Sequence, residues 1–164
     1  MMMKKFTQSV LLLVATLGLF TACGPTEIPS TPLEEAVKPV ATFMNATPGV
    51  QLFSFFTSDA YKEEKVVVKG MACLTGSYGD KPAVGMCALE VDGVKIKPHF
   101  LVSQEDKEKL QTALKKAEQD SKGAVESLSV VLEGTLVKEG SQKSPFGGEL
   151  DLRFADAKLL QIQE

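Results

Sequence analysis

Hydrophobic and polar positions alternate with two periods along this chain, and the change of period sets out the expected elements. Lys65 to Leu74 (KVVVKGMACL) is rich in β-branched residues and reads as a strand, with Gly70 inside it marking a bulge or sharp bend. Ala83 to Val91 (AVGMCALEV) reads as a second strand, and Asp92-Gly93 is a two-residue hairpin signal leading into a third, Val94 to Val102 (VKIKPHFLV). The period then lengthens. Ser103 can cap a helix with Glu105 and Asp106 in its first turn, and Leu110, Leu114 and Ala117 fall on one face of it. Leu128 to Val137 is the fourth strand. Glu149 to Phe154 (ELDLRF), extending towards Leu160, is the fifth, with Leu150, Leu152 and Phe154 facing in.

Ahead of these strands the pattern is helical. Thr31-Pro32-Leu33-Glu34 has the form of a capping box with proline at the first helical position, Pro39 interrupts or kinks the helix that follows, and Thr47-Pro48-Gly49 marks a turn. Val50 to Tyr61 reads either as a helical stripe of Leu52, Phe55, Phe56 and Ala60 or as a short strand over Gln51 to Phe56. Helix is the favoured reading, running into Tyr61 to Glu64.

The first thirty residues follow another logic. Lys4 and Lys5 precede an apolar run, Val10 to Phe20 (VLLLVATLGLF), of the length of a signal-peptide core and too short to span a bilayer comfortably. The small residues Thr21 and Ala22 before Cys23 resemble the lipobox of bacterial lipoproteins. That resemblance implies cleavage before Cys23, diacylation of that cysteine as residue one of the mature chain, and a membrane anchor made stable by two or more acyl chains. Gly24, rather than aspartate, after the cysteine implies the outer membrane over the inner by the enterobacterial sorting pattern. The expected location is therefore the bacterial cell envelope, facing the periplasm or the surface. Three units follow: a signal peptide over 1–22, a proline-rich tether over 23–32, and one domain over 33–164, with a helical segment at 33–64 and strands and helix over 65–160.

Composition narrows the partners. Removing residues 1–22 from the 164 leaves 142, enough for one domain, and takes Lys4 and Lys5 away, so that 16 basic residues face 21 acidic ones for a net charge of −5. Such a chain has no general attraction to phosphate backbones, and its few aromatics do not make a stacking groove, so nucleic acid is not an expected partner. Cys73 and Cys87 remain as an even pair outside the cytoplasm. Strands folded antiparallel about residue 80 place them opposite each other, so a structural disulfide is expected. A redox or zinc role lacks a Cys-x-x-Cys pattern and enough ligands beyond His99.

Three meander strands, a helix and two further strands, with Gly70 and Gly134 inside strands, resemble the OB fold over about Lys65 to Leu160. The resemblance is closest to the OB modules of bacterial envelope lipoproteins, including those similar to anticodon-binding domains. It implies a mainly β fold with helices: a five-stranded Greek-key barrel with a helix between strands 3 and 4. It also implies a ligand face across strands 2 and 3, between the loops Thr75 to Pro82 and Glu139 to Gly148. Alternation on strand 3 puts Lys95, Lys97 and His99 on one side, so the expected site is Tyr78, Lys81, Lys95, Lys97, His99, Lys143 and Phe146. Alternating lysines are also the ordinary pattern of a solvated face.

No nucleophile elbow, P-loop, H-E-x-x-H or dinucleotide fingerprint occurs, so no enzyme, metal or cofactor is expected. The function expected is a non-catalytic binding or assembly module for an envelope protein, peptide or glycan, held to the membrane through Cys23. The competing reading is an accessory lipoprotein that docks on an envelope complex through Val50 to Tyr61, without a ligand groove.

Overall fold

The computed structural model describes residues 26–145 and 147–163, so the signal segment, Cys23 and Phe146 lie outside the described residues. The described residues are mainly β, with seven strands in one mixed sheet and three helices: β1 (Thr31–Pro32), α1 (Leu33–Ala46), α2 (Leu52–Phe56), β2 (Lys65–Tyr78), β3 (Lys81–Met86), β4 (Leu89–Val91), β5 (Val94–Leu101), α3 (Gln104–Ser121), β6 (Leu128–Lys143) and β7 (Leu150–Gln163). None of the described helices is long and apolar enough to cross a membrane.

The expectation of a regular five-stranded barrel undercounts the strands. The sheet runs β1-β2-β3-β5-β7-β6, β4 pairs with β5, and β6 returns to β2. β1–β2 and β5–β7 are parallel and the other pairs antiparallel. The second expected strand is divided because Cys87 leaves the ladder to β5 and donates its N–H to the Met71 carbonyl at 2.8 Å. The first loop of the expected ligand face is not a loop. β2 and β3 continue to a tight turn at Gly79-Asp80, with Tyr78 paired to Lys81. The second is shortened, since Glu139 to Lys143 belong to β6.

Several local signals set the geometry. Asp92 (φ 50°) and Gly93 (φ 79°) turn the hairpin between β4 and β5, both with the positive φ that a type I′ turn requires. Ser103 Oγ accepts from the Asp106 N–H at 3.1 Å and starts α3 where expected. Leu110 of that helix is buried while Leu114 and Ala117 are half-buried. Asp106 Oδ2 accepts from the Leu159 N–H at 3.0 Å, tying α3 to β7.

Two expectations about glycine and proline change. The bulge in β2 falls between Ala72 and Leu74, not at Gly70. Gly70 is instead a point of close approach, where a Cβ would come within 2.9 Å of Met86 Cε and 3.2 Å of Leu33. The capping box does not form, because Thr31 and Pro32 pair in parallel with Val68 and Lys69, leaving Pro32 at the helix start with no side-chain cap. α1 continues through the exposed Pro39 to Ala46.

The core lies inside the closed sheet, where Phe100 and Phe154 stack with ring centroids 4.4 Å apart, and α1 inserts Leu33, Val37, Val40 and Ala41 into the same cluster. α2 is a single short helix. Ser58 Oγ donates to the Phe55 carbonyl at 2.8 Å and accepts from the Ala60 N–H, which ends the helix before the expected extension to Glu64. Its Phe55 and Phe56 pack edge-on against Tyr61, whose hydroxyl donates to the Leu136 carbonyl at 2.8 Å. Burial, with Glu63 nearby, raises the Tyr61 pKa above its usual 10.0.

The Cys73–Cys87 disulfide is present, with Cα atoms 4.9 Å apart. The two cysteines are not direct ladder partners, as simple folding about residue 80 implies. Cys73 is the extra residue of the β2 bulge, and Cys87 is the residue that leaves β3. Both irregularities sit at the cross-link.

Candidate functional site

On β5, Ile96, Pro98 and Phe100 turn inward, so Lys95, Lys97 and His99 share the outer side of the sheet. β7 alternates likewise, with Leu150, Leu152 and Phe154 in, and Asp151 and Arg153 out. The parallel register places Lys97 beside Asp151 and His99 beside Arg153, so two separate stretches of sequence make one polar cluster. His99 Nε2 lies 3.5 Å from Asp151 Oδ1, with both side chains largely covered. Burial lowers the His99 pKa below 6.5, and Lys97 and Arg153 push it the same way. Asp151 opposes them without reversing the shift, so the imidazole is neutral at pH 7.

β6 builds the opposite wall. Its register with β7 slips between Val137, which faces Arg153, and Gln142, which faces Asp151. Ser141 Oγ spans the slip, donating to the Val137 carbonyl at 2.6 Å and accepting from the Arg153 N–H at 2.8 Å. Gly140 (φ 79°) sits under the Arg153 guanidinium, and a Cβ there would overlap Cζ, Nε and Nη1 of that side chain. Glycine is required twice over, for its φ and for its missing side chain.

The seven residues expected to form the site do not all meet. Lys97 and His99 are in the cluster, and Lys95 is exposed beside it at the start of β5. Lys143 pairs with Leu150, which pairs with Ile96, so it lies at the same end as Lys95. Lys81 is at the other end. Ala83 pairs with Leu101, so Lys81 lies past the end of β5, and Leu101 alone is six residues from Lys95, about 20 Å along a strand. Of Tyr78 only the backbone is described, at the same turn as Lys81, and Phe146 is outside the described residues. Asp151, Arg153, Gly140 and Ser141 were not expected. The in-out alternation of ELDLRF carries a signal for the first two.

Chemically the cluster offers hydrogen-bond donors and positive charge around one carboxylate. Ser141 Oγ is engaged with Val137 and Arg153 and makes no nucleophile–base pair with His99. Among the described residues there is no group of three or more His, Cys, Asp or Glu placed to hold a metal ion. An open groove of about 670 Å³ lies elsewhere, between Ala113 and Ala117 of α3 and Leu128 and Ile162 of the sheet, and none of the seven expected residues lines it. In the Val50 to Tyr61 segment Phe55 and Phe56 are core residues. Phe53 is 52% exposed, with Lys138 Nζ 3.7 Å above its ring.

The His99 environment has a consequence for pH. A histidine whose folded pKa is lowered binds its proton more readily in the unfolded chain, so it leaves folding unopposed above pH 6.5 and destabilises the fold as pH drops below that value. The urea midpoint should fall between about pH 7.5 and 5.5, above the main carboxylate range. His99→Gln should flatten that part of the profile. An unchanged slope in the variant would assign the loss to other groups.

No family model matches the chain, and no curated protein sequence matches it. Among solved structures, the asparaginyl-tRNA synthetase of Entamoeba histolytica is similar over 63% of this chain and 22% of its own, at 12% identity and a TM-score of 0.33. This chain thus spans about a fifth of that enzyme's length, a likeness too remote to bear on activity.

Proposed function

We propose that the chain is a bacterial envelope lipoprotein, acylated at Cys23, whose OB-type barrel is a non-catalytic binding module for an envelope protein, peptide or glycan. The observation that supports the module most directly is the parallel β5–β7 register, which assembles Lys97, His99, Asp151 and Arg153 on one side of the sheet. The OB assignment is supported by strand succession. Taking β3 and β4 as one interrupted strand, the order β2, β3/β4, β5, β7, β6 and back to β2, with β5 parallel to β7, is that of an OB barrel. Gly134 fits the same reading, since a Cβ there would come within 3.2 Å of Phe100 and Phe154. The Greek-key description rests on these pairings, and the membrane address rests on the residues around Cys23.

The docking reading has less to build on. Burial of Phe55 and Phe56 leaves Phe53 as the exposed ring of that segment, too little for a contiguous apolar patch.

Affinity capture from gently solubilised envelope, with wild type and a Lys95→Glu/Lys97→Glu variant in parallel, tests the module. Lys95 is exposed, but Lys97 is half-buried and pairs across the ladder with Asp151, where a glutamate is repelled, so the variant's thermal midpoint is measured alongside and should fall by no more than a few degrees. A partner captured through this face should be recovered roughly tenfold less with the variant, equivalent to about 1.4 kcal/mol. Equal recovery would remove the face from the function.

A further inference from the structure

We infer that the edge of the domain formed by β1, by Lys69 and Met71 of β2 and by the Cys87–Leu89 bend rests on the headgroup layer of the bilayer to which Cys23 is attached. This inference rests on the acylation proposed above. It begins with chain length. Glu27 Oε1 is 3.7 Å from Lys69 Nζ, Ile28 and Ser30 are half-buried, and Glu27 to Ser30, Pro32 and Lys69 line one cleft. Thr31 and Pro32 then pair with Val68 and Lys69. From Cys23 to Glu27 the chain can extend at most about 14 Å, and even to Thr31 at most about 28 Å. The far end of β2, at Tyr78, is nine residues beyond Lys69, roughly 30 Å along the strand, and the Gly79-Asp80 turn follows it. A tether of this length keeps the edge beside Lys69 nearer the headgroups than the far end of β2, and within reach of them.

The surface at that edge suits the contact. Lys69 and Met71 point outward on β2, between the buried Val68 and Ala72. Met71 is 44% exposed, one of two large hydrophobic side chains so exposed among the described residues, and it borders an open cleft shared with Pro32, Cys87 and Ala88. Charge is close to balanced, with Lys69 set against Glu27 and Glu34. Proximity to the anchor and the apolar Met71, rather than attraction to anionic lipid, hold the edge down. The turn at Gly79-Asp80, with Tyr78 and Lys81 beside it, is then directed away from the bilayer.

The test uses the full acylated chain in phosphatidylethanolamine–phosphatidylglycerol vesicles carrying a headgroup quencher. A fluorophore is placed at Met71→Cys or, separately, at Asp80→Cys. Quenching should be severalfold stronger at 71 than at 80. Equal quenching, or stronger quenching at 80, would overturn the orientation while leaving the anchor in place. A chain that is not acylated and does not float with vesicles would overturn the anchor, and the orientation with it. Because an added cysteine can disturb the Cys73–Cys87 pair, a second measurement leaves the site unaltered. Chloramine-T oxidation of Met71 should be severalfold slower in the vesicle-bound chain than in soluble Cys23→Ser protein, with the half-buried Met44 as internal reference. Equal rates would contradict the contact.

Discussion

Reducing the Cys73–Cys87 disulfide should lower the free energy of unfolding by about 3 kcal/mol, the chain-entropy value for a loop of roughly 15 residues. For a domain of this size that corresponds to a fall of about 10 °C in the thermal midpoint. The position of the bond makes the full effect reasonable. It clamps the bulge of β2 to the residue where β3 leaves the ladder, the place where the β2–β3 hydrogen bonding is interrupted. The double variant Cys73→Ala/Cys87→Ala should match the reduced protein. A reduced chain that melts at the oxidised midpoint would show that the ladder alone holds this hairpin.

Val40→Asp should be more damaging. Val40 is fully buried, on the stripe with Leu33, Val37 and Ala41 by which α1 packs against β2, β4 and β5. A carboxylate there has no described cationic partner in the core cluster, so the loss should be about 4 kcal/mol or more, a large part of the stability of an ordinary domain. Thr42→Asp, on the exposed side of the same helix, should stay within about 0.5 kcal/mol of wild type by urea denaturation. Equal effects at the two positions would mean that α1 is an appendage to the sheet rather than part of its filling.

Legibility followed the range of each interaction. Asp92-Gly93 and Ser103 carry their own turn and cap chemistry, and both act where expected. The alternation along β5 and β7 is equally local, and it sorted Ile96, Phe100, Leu150, Leu152 and Phe154 into the core. What periodicity does not carry is register between distant strands. The parallel pairing of β5 with β7 brings Asp151 and Arg153 to Lys97 and His99, and the slip in β6 puts Gly140 and Ser141 around Arg153. The same gap in information sent Lys81 into a site whose Lys95 lies at the other end of the strand. Thr31-Pro32 shows a local signal overruled, since a cap motif yields when its backbone is taken up by a neighbouring strand.

Location and orientation both depend on the chemistry at Cys23. Intact-mass measurement of the protein extracted from bacterial membranes tests it most directly, with Cys23→Ser expressed in parallel. The expected result is a mature chain starting at Cys23 with the added mass of its acyl groups, and a Cys23→Ser protein absent from the membrane fraction. An unmodified Cys23 in the membrane-extracted protein, or a Cys23→Ser protein that still sediments with the membrane, would contradict the account.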